Sequence, residues 1–341
     1  MSRRRCLITA LALVLAFASC ATATPPHENH QSLVWPEEVT ERPRVTFVTT
    51  FSKAEEFGIT KGFFRRLADL IFGPSDLRLV RPMAVVAVNG VVYVADSGAQ
   101  GVHRFDPGAA RHDLLRAESN TALPSPVGLA RGPDGGVYVT DSVLAQVFLI
   151  RAGAKTAVPV ALPQMEQPTG IAFDPATGRL YVADTAEHRV NVFNRDGSLS
   201  AVIGRRGTHD GEFNYPTLIW RDSEGRLYVT DSLNFRVQVF DRDGRFMTKF
   251  GKAGDGTGDF MRQKGVATDR YGHVYIVDAL LNAFQIFTGS GRLLLSVGEP
   301  GSAPGEFWLP TGIFISEDDT IYIADSFNQR IQIFRYIGGP T

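Results

Sequence analysis

Cysteine is almost missing from this chain: its 341 residues hold two, Cys6 and Cys20. Both lie within the first twenty residues, so the remainder has no disulfide, no thiol nucleophile and no cysteine ligand for a metal. A strong charge of either sign is missing too, with 35 Lys and Arg against 36 Asp and Glu. Nucleic-acid binding relies on a basic surface that neutralises phosphates, and this balance argues against it. Long apolar runs are also absent. The longest apolar stretch, residues 7–18, has 12 residues, too few to span a bilayer. The phosphate-loop, dinucleotide, nucleophile-elbow and HExxH patterns do not occur. GKAGDGTG at 251–258 has the look of a phosphate loop, but no helical pattern follows it.

The apolar stretch follows Arg3, Arg4 and Arg5 and precedes small residues, the layout of a secretory leader. FASC at 17–20 resembles a bacterial lipobox, which implies acylation of Cys20 as the new N-terminus. ATA at 21–23 offers a rival cleavage site that would release a soluble protein. Removing the three arginines leaves 32 basic against 36 acidic residues, a net of −4. Residues 1–20 are read as the leader and 21–43, polar and proline-bearing, as a flexible tether. Residues 44–341 are read as the folded domain. The expected location is outside the cytoplasm, in the periplasm or at the cell surface, tethered to a bacterial membrane by lipid on Cys20.

What the chain does have is a repeat. Tyrosine stands three residues before aspartate in YVAD (93–96), YVTD (138–141), YVAD (181–184), YVTD (228–231), YIVD (275–278) and YIAD (322–325). The aspartates Asp96, Asp141, Asp184, Asp231, Asp278 and Asp325 are 45, 43, 47, 47 and 47 residues apart. Such a period, built from short β-type runs, predicts one four-stranded sheet per repeat arranged in a propeller. In the third copy the strands are read at 168–173, 180–183, 189–193 and 199–203, with turn signals at Thr177-Gly178 and Asp196-Gly197. The last copy stops after its third strand. The run RVTFVTTF at 44–51 is expected to pair beside Arg330 to Phe334 and close the ring.

Three connections read G-x-x-G-x-x-x-G-[E/D]-F, at 204–213, 251–260 and 298–307. Together with P-x-G-[I/V], [L/V]-Y-V-x-D and R-[V/I]-x-[V/I]-F, this string resembles the NHL repeat. The resemblance covers about residues 81–337 and is degenerate in the first two copies. It implies an all-β, six-bladed β-propeller, monomeric, serving as a rigid platform for protein or ligand contact. The phenylalanine of each connection is expected to plug the gap between neighbouring sheets. One segment stands outside the repeat. Residues 57–73 place Phe63, Phe64, Leu67 and Ile71 at helical spacing, an amphipathic helix entering the first blade on the face that follows each aspartate. That helix packs on the propeller or offers its apolar stripe to a partner or membrane.

The residue chemistry points away from catalysis. Six equivalent aspartates fit a structural role, each accepting backbone hydrogen bonds at a turn. Arg189, Arg236 and Arg330 share one repeat position and are read as bridges to an aspartate or to loop carbonyls. Position two of each inner strand carries Met83, Val127, Thr169, Thr217, Lys264 and Thr311, expected at the mouth of the channel. NHL-type amidating lyases carry zinc-binding histidines at such positions, and this chain has none there. Calcium-dependent lactonases share the shape but need several converging oxygen ligands. No metal or cofactor is therefore expected, and a noncatalytic platform with a protein partner is the favoured reading. The alternatives are a propeller hydrolase, lactonase or lyase with a channel site, and a small-molecule or glycan sensor in which Lys264, Thr169, Thr217 and Thr311 hold the ligand.

Overall fold

β-branched and aromatic residues alternate over five to seven positions and then give way to Asp-Gly or Thr-Gly, which favours short antiparallel strands joined by tight turns. The computed structural model describes residues 33–36, 45–59 and 77–338, all within one compact unit, Ser32–Thr341. Blade 3 gives the unit in full: Pro168–Asp174, Arg179–Asp184, Arg189–Phe193 and Leu199–Ile203 pair in that order. Blade 4 begins with Pro216–Arg221 and blade 5 with Gln263–Thr268, and both repeat the order. In each blade the first strand lies at one end of its sheet. These first strands touch their neighbours around the ring, blade 6 meeting blade 1, so they line a central channel.

Blade 6 consists of Pro310–Ile315, Thr320–Asp325 and Arg330–Tyr336 from the end of the chain, with Val45–Phe51 antiparallel to Arg330–Tyr336. Val34–Trp35 then adds a fifth strand outside it. This corrects the reading of 21–43 as tether throughout. The Phe47 N–H donates to the Leu33 carbonyl at 2.9 Å, and the Trp35 ring meets Phe334 edge-on with centroids 5.9 Å apart. The rest of that stretch lies outside the described residues, as do Cys20 and residues 60–76, which carry Phe63, Phe64, Leu67 and Ile71. At the start of the expected helix Phe57 is described. Its ring packs on Phe51 and Phe105, with centroids 4.5 and 5.8 Å away.

Blades 1 and 2 depart from the unit in one respect. Arg111–Ala117, the last strand of blade 1, runs parallel to Thr156–Pro159, the last of blade 2, and the two blades share an eight-stranded sheet.

The core lies between blades. Phe213, Phe260 and Phe307 are fully buried, each within a cluster drawn from two adjacent blades. Each stands three residues before the first residue of an inner strand. Leu79, Leu123 and Met165 occupy the same place in the other three blades and are buried as well. The glycine that opens each rich connection makes room for the ring: a Cβ on Gly251 would lie 2.2 Å from Phe260, and its φ of +99° disfavours any side chain.

Candidate functional site

The aspartates hold one face of the ring together. All six are fully buried. Asp96 accepts from the backbone N–H groups of Val80, Arg81 and Ala99, and Asp141 from those of Ser125, Val143 and Leu144. Asp184 accepts from Glu166 and Gln167, and Asp278 from Met261, Arg262, Leu280 and Leu281. Asp231 and Asp325 each take one backbone N–H together with an asparagine, an arginine and a glutamine side chain. All but Asp184 thus tie the loop after their own strand to the chain entering the blade, and Asp184 binds the entering chain alone. Burial pushes the Asp96 carboxyl up, but His103 and three backbone donors outweigh it and hold it below the usual range.

Arg236 and Arg330 extend this job. Each donates Nε to its aspartate at 2.7 Å and spreads its other nitrogens over three carbonyls of the preceding glycine-rich connection. Arg189 does not do so. Its recorded ionic partner is Glu187 at 4.0 Å, because blade 3 is entered by a connection that lacks the glycine-rich turn. Sequence reasoning missed the glutamines beside these arginines. Gln238, Gln285 and Gln332 each accept from a glycine N–H and donate to an acidic residue's carbonyl in the same connection. Gln238 and Gln332 stand in the middle of R-[V/I]-x-[V/I]-F, and Gln285 in the equivalent AFQIF, where Ala283 replaces the arginine.

Of the second positions of the inner strands, Thr169 and Thr311 are buried, and Met83, Val127, Thr217 and Lys264 are half-buried. Thr169 donates to the Thr217 carbonyl at 2.9 Å and Thr311 to the Met83 carbonyl at 3.0 Å, each in the next blade. Thr217 bonds the hydroxyls of Thr230 and Ser232. The following glycines let the strands close in: a Cβ on Gly170 would sit 2.5 Å from the Thr217 carbonyl. Lys264 is half-buried among them. Burial and the neighbouring Arg262 lower its ammonium pKa, against the pull of Asp278.

On this face five of the six blades carry exposed apolar side chains. Val143, Leu144, Leu233, Leu280 and Phe327 follow the aspartates. Val80, Tyr215, Met261 and Trp308 precede the inner strands and sit beside the same loops. Val143 is 68% and Trp308 57% exposed. Trp308 and Phe327 lie 6.0 Å apart, and the Arg81 guanidinium lies 5.2 Å over the Phe327 ring.

At the opposite end the channel widens to a cavity of about 600 Å³. Trp220 of blade 4 reaches across it, donating Nε1 to Thr268 of blade 5 and meeting Phe314 of blade 6 edge-on at 5.9 Å. Charged residues at the ends of the inner strands form the rim. Arg131 of blade 2 donates to Glu317 of blade 6 at 3.0 Å and to the Ala87 carbonyl of blade 1 at 2.9 Å. Arg221 pairs with Asp174 at 2.9 Å and stacks 4.7 Å over Tyr181. Arg270 pairs with Asp319. Among the described residues no group of three or more His, Cys, Asp or Glu is arranged to hold a metal ion. A zinc centre of the lyase kind draws on such a set.

The chain is a six-bladed β-propeller whose repeats resemble those of NHL proteins. A family model described as a 6-bladed beta-propeller matches residues 220–285 and 268–337, and one for the SMP-30/gluconolactonase/LRE-like region matches residues 133–249. Peptidyl-glycine alpha-amidating monooxygenase A of Xenopus laevis is 30% identical over 125 residues, a match that spans 33% of this chain and 13% of that protein. Among solved structures, an auxiliary nutrient binding protein from Bacteroides thetaiotaomicron superposes with a TM-score of 0.61 at 15% identity, covering 88% of this chain and 78% of that one. Virginiamycin B lyase from Staphylococcus aureus superposes with a TM-score of 0.56 at 17% identity, covering 76% of this chain and 98% of the lyase. Likeness at these identities speaks to the fold alone.

Proposed function

We propose that this propeller is a noncatalytic platform, exported and held at a membrane by lipid on Cys20, whose aspartate-loop face docks a protein partner. The observation that carries the reading is the set of exposed apolar side chains on that face. Exposed apolar side chains gathered on one face mark interaction sites. Its densest part, Trp308 tilted against Phe327 under Arg81, has the aromatic and arginine composition of an interface hot spot. The loops that carry it are fixed by buried aspartates, so docking orders little and keeps its entropic cost low.

A photo-crosslinking residue placed at Trp308 or at Arg242, on the opposite face, tests this in the native host. A discrete polypeptide adduct at position 308 that is missing at 242, and missing from a Phe327→Asp background, supports the platform. Equal adducts from the two faces refute it.

The gluconolactonase-like match over residues 133–249 favours a second reading, an enzyme working in the channel. Turnover of lactone or ester substrates by the purified protein, abolished by filling the cavity with Leu218→Trp, supports that reading over the platform.

A further inference from the structure

We propose that the wide end of the channel, on the face opposite the exposed apolar side chains, binds a small organic carboxylate with an apolar body. The cavity of about 600 Å³ falls within the range of small-molecule sites. Leu129, Ile171, Ile219 and Val266 wall it, with Trp220 and Phe314 across its width. The inner strands have no sheet partner on the channel side, so backbone donors and acceptors interrupt the apolar walls.

The charges at the rim decide the sign of the ligand. Asp222 is occupied by Arg226, Tyr228 and the Glu224 N–H, all from its own hairpin. Asp269 is occupied likewise by His273, Tyr275 and the Tyr271 N–H. Asp174 takes Thr177, the Ala176 N–H and Arg221. Arg270 is committed to Asp319.

Two arginines keep donors in reserve. The carboxylate partner of Arg131 is Glu317, 91% exposed, where water competes for the pairing. The Arg131 guanidinium itself lies 4.9 Å over Phe314, at the cavity wall. Arg221 is 7% exposed, and its Nη1 has no hydrogen-bond partner. Arg131 and Arg221 end the inner strands of blades 2 and 4 and both line the cavity. Guanidinium groups above aromatic and aliphatic walls match a carboxylate head and an apolar tail.

Calorimetric titration with phenylacetate, 4-phenylbutyrate and octanoate, each beside its neutral amide, tests the assignment. At least one acid should saturate a single site below about 10 mM and bind about tenfold tighter than its amide, the value of one charge-assisted hydrogen bond. Arg131→Gln, half-exposed and checked for folding by thermal melting, should weaken the acid about tenfold and leave the amide unchanged. Trp308→Asp, on the other face, should leave both unchanged. Failure of all three acids to saturate, equal binding of acid and amide, or loss of binding in Trp308→Asp overturns the assignment. None of these results bears on the crosslinking outcome at Trp308.

Discussion

Phe307→Ala tests whether the seams between blades, rather than the sheets themselves, hold the ring together. The ring of Phe307 is fully buried between blades 5 and 6, with centroids 6.2 Å from Phe284 and 5.9 Å from Phe334. Truncating a buried phenylalanine costs about 3–5 kcal/mol, and the upper part of that range applies where the site cannot collapse. Here collapse is restricted, because Gly298 presents backbone to the ring and the two flanking sheets are each tied internally by strand pairing. We expect a loss of about 4 kcal/mol, a large part of the roughly 5–15 kcal/mol that stabilises a domain. Urea unfolding followed by the fluorescence of Trp35, Trp220 and Trp308 should give a lower midpoint with an unchanged slope. Phe213→Ala and Phe260→Ala, in equivalent seams, should match it to within about 1 kcal/mol, whereas exposed Phe327→Ala should stay within about 0.5 kcal/mol of the parent. A loss below about 1 kcal/mol at all three seams would refute the reasoning.

Other perturbations separate structural roles that look alike in sequence. Arg330→Gln should cost about 3 kcal/mol, because it leaves Asp325 buried without its cation, while Arg189→Gln should cost less than about 1 kcal/mol; denaturation midpoints decide. Gly251→Ala should lower Tm sharply, since its Cβ would meet Phe260 at 2.2 Å where φ is +99°. Glu212, hydrogen-bonded by His209 and Arg205, has its pKa lowered from 4.5 to about 2. A depressed carboxylate contributes stability above its unfolded value that is lost as pH falls through the folded one, so the destabilisation by Glu212→Gln should be present at pH 7 and vanish towards pH 2. Lys264→Met should raise Tm at neutral pH, because burial disfavours the ammonium that the unfolded chain carries freely.

What could be read from the residues was what recurs. The aspartates, Arg236, Arg330 and the seam phenylalanines repeat at fixed spacing, and repetition in every blade separates a structural position from a site. Leu79, Leu123 and Met165 fill the same seam without the glycine-rich string, so a motif could not find them, although counting three residues back from each inner strand would have. Thr169 and Thr311 turn toward the seam for a geometric reason. The glycine in P-x-G brings neighbouring backbones together, and these two threonines bond across the seam, whereas Thr217 bonds Thr230 and Ser232 of its own blade. The wide end stayed invisible because Arg131, Arg221 and Trp220 recur in no pattern and meet only when the ring closes. Val34–Trp35 is too short to carry a periodic signal, and its place depends on the edge of Val45–Phe51, itself fixed by pairing with Arg330–Tyr336.

The parallel pairing of Thr156–Pro159 with Arg111–Ala117 gives the ring a stiff sector. Among the described residues the outermost strands at the other seams of consecutive blades pair with no strand of the next blade, so slow opening is expected to start there and proceed blade by blade. Between blades 1 and 2 the outer edges are laced together, and the two should exchange amide protons with solvent as a single cooperative unit. Those blades also depart furthest from the repeat. A sector whose inner motifs have drifted, fastened along its rim, confines local opening to the arc from blade 3 to blade 6, where Trp308 and Phe327 stand.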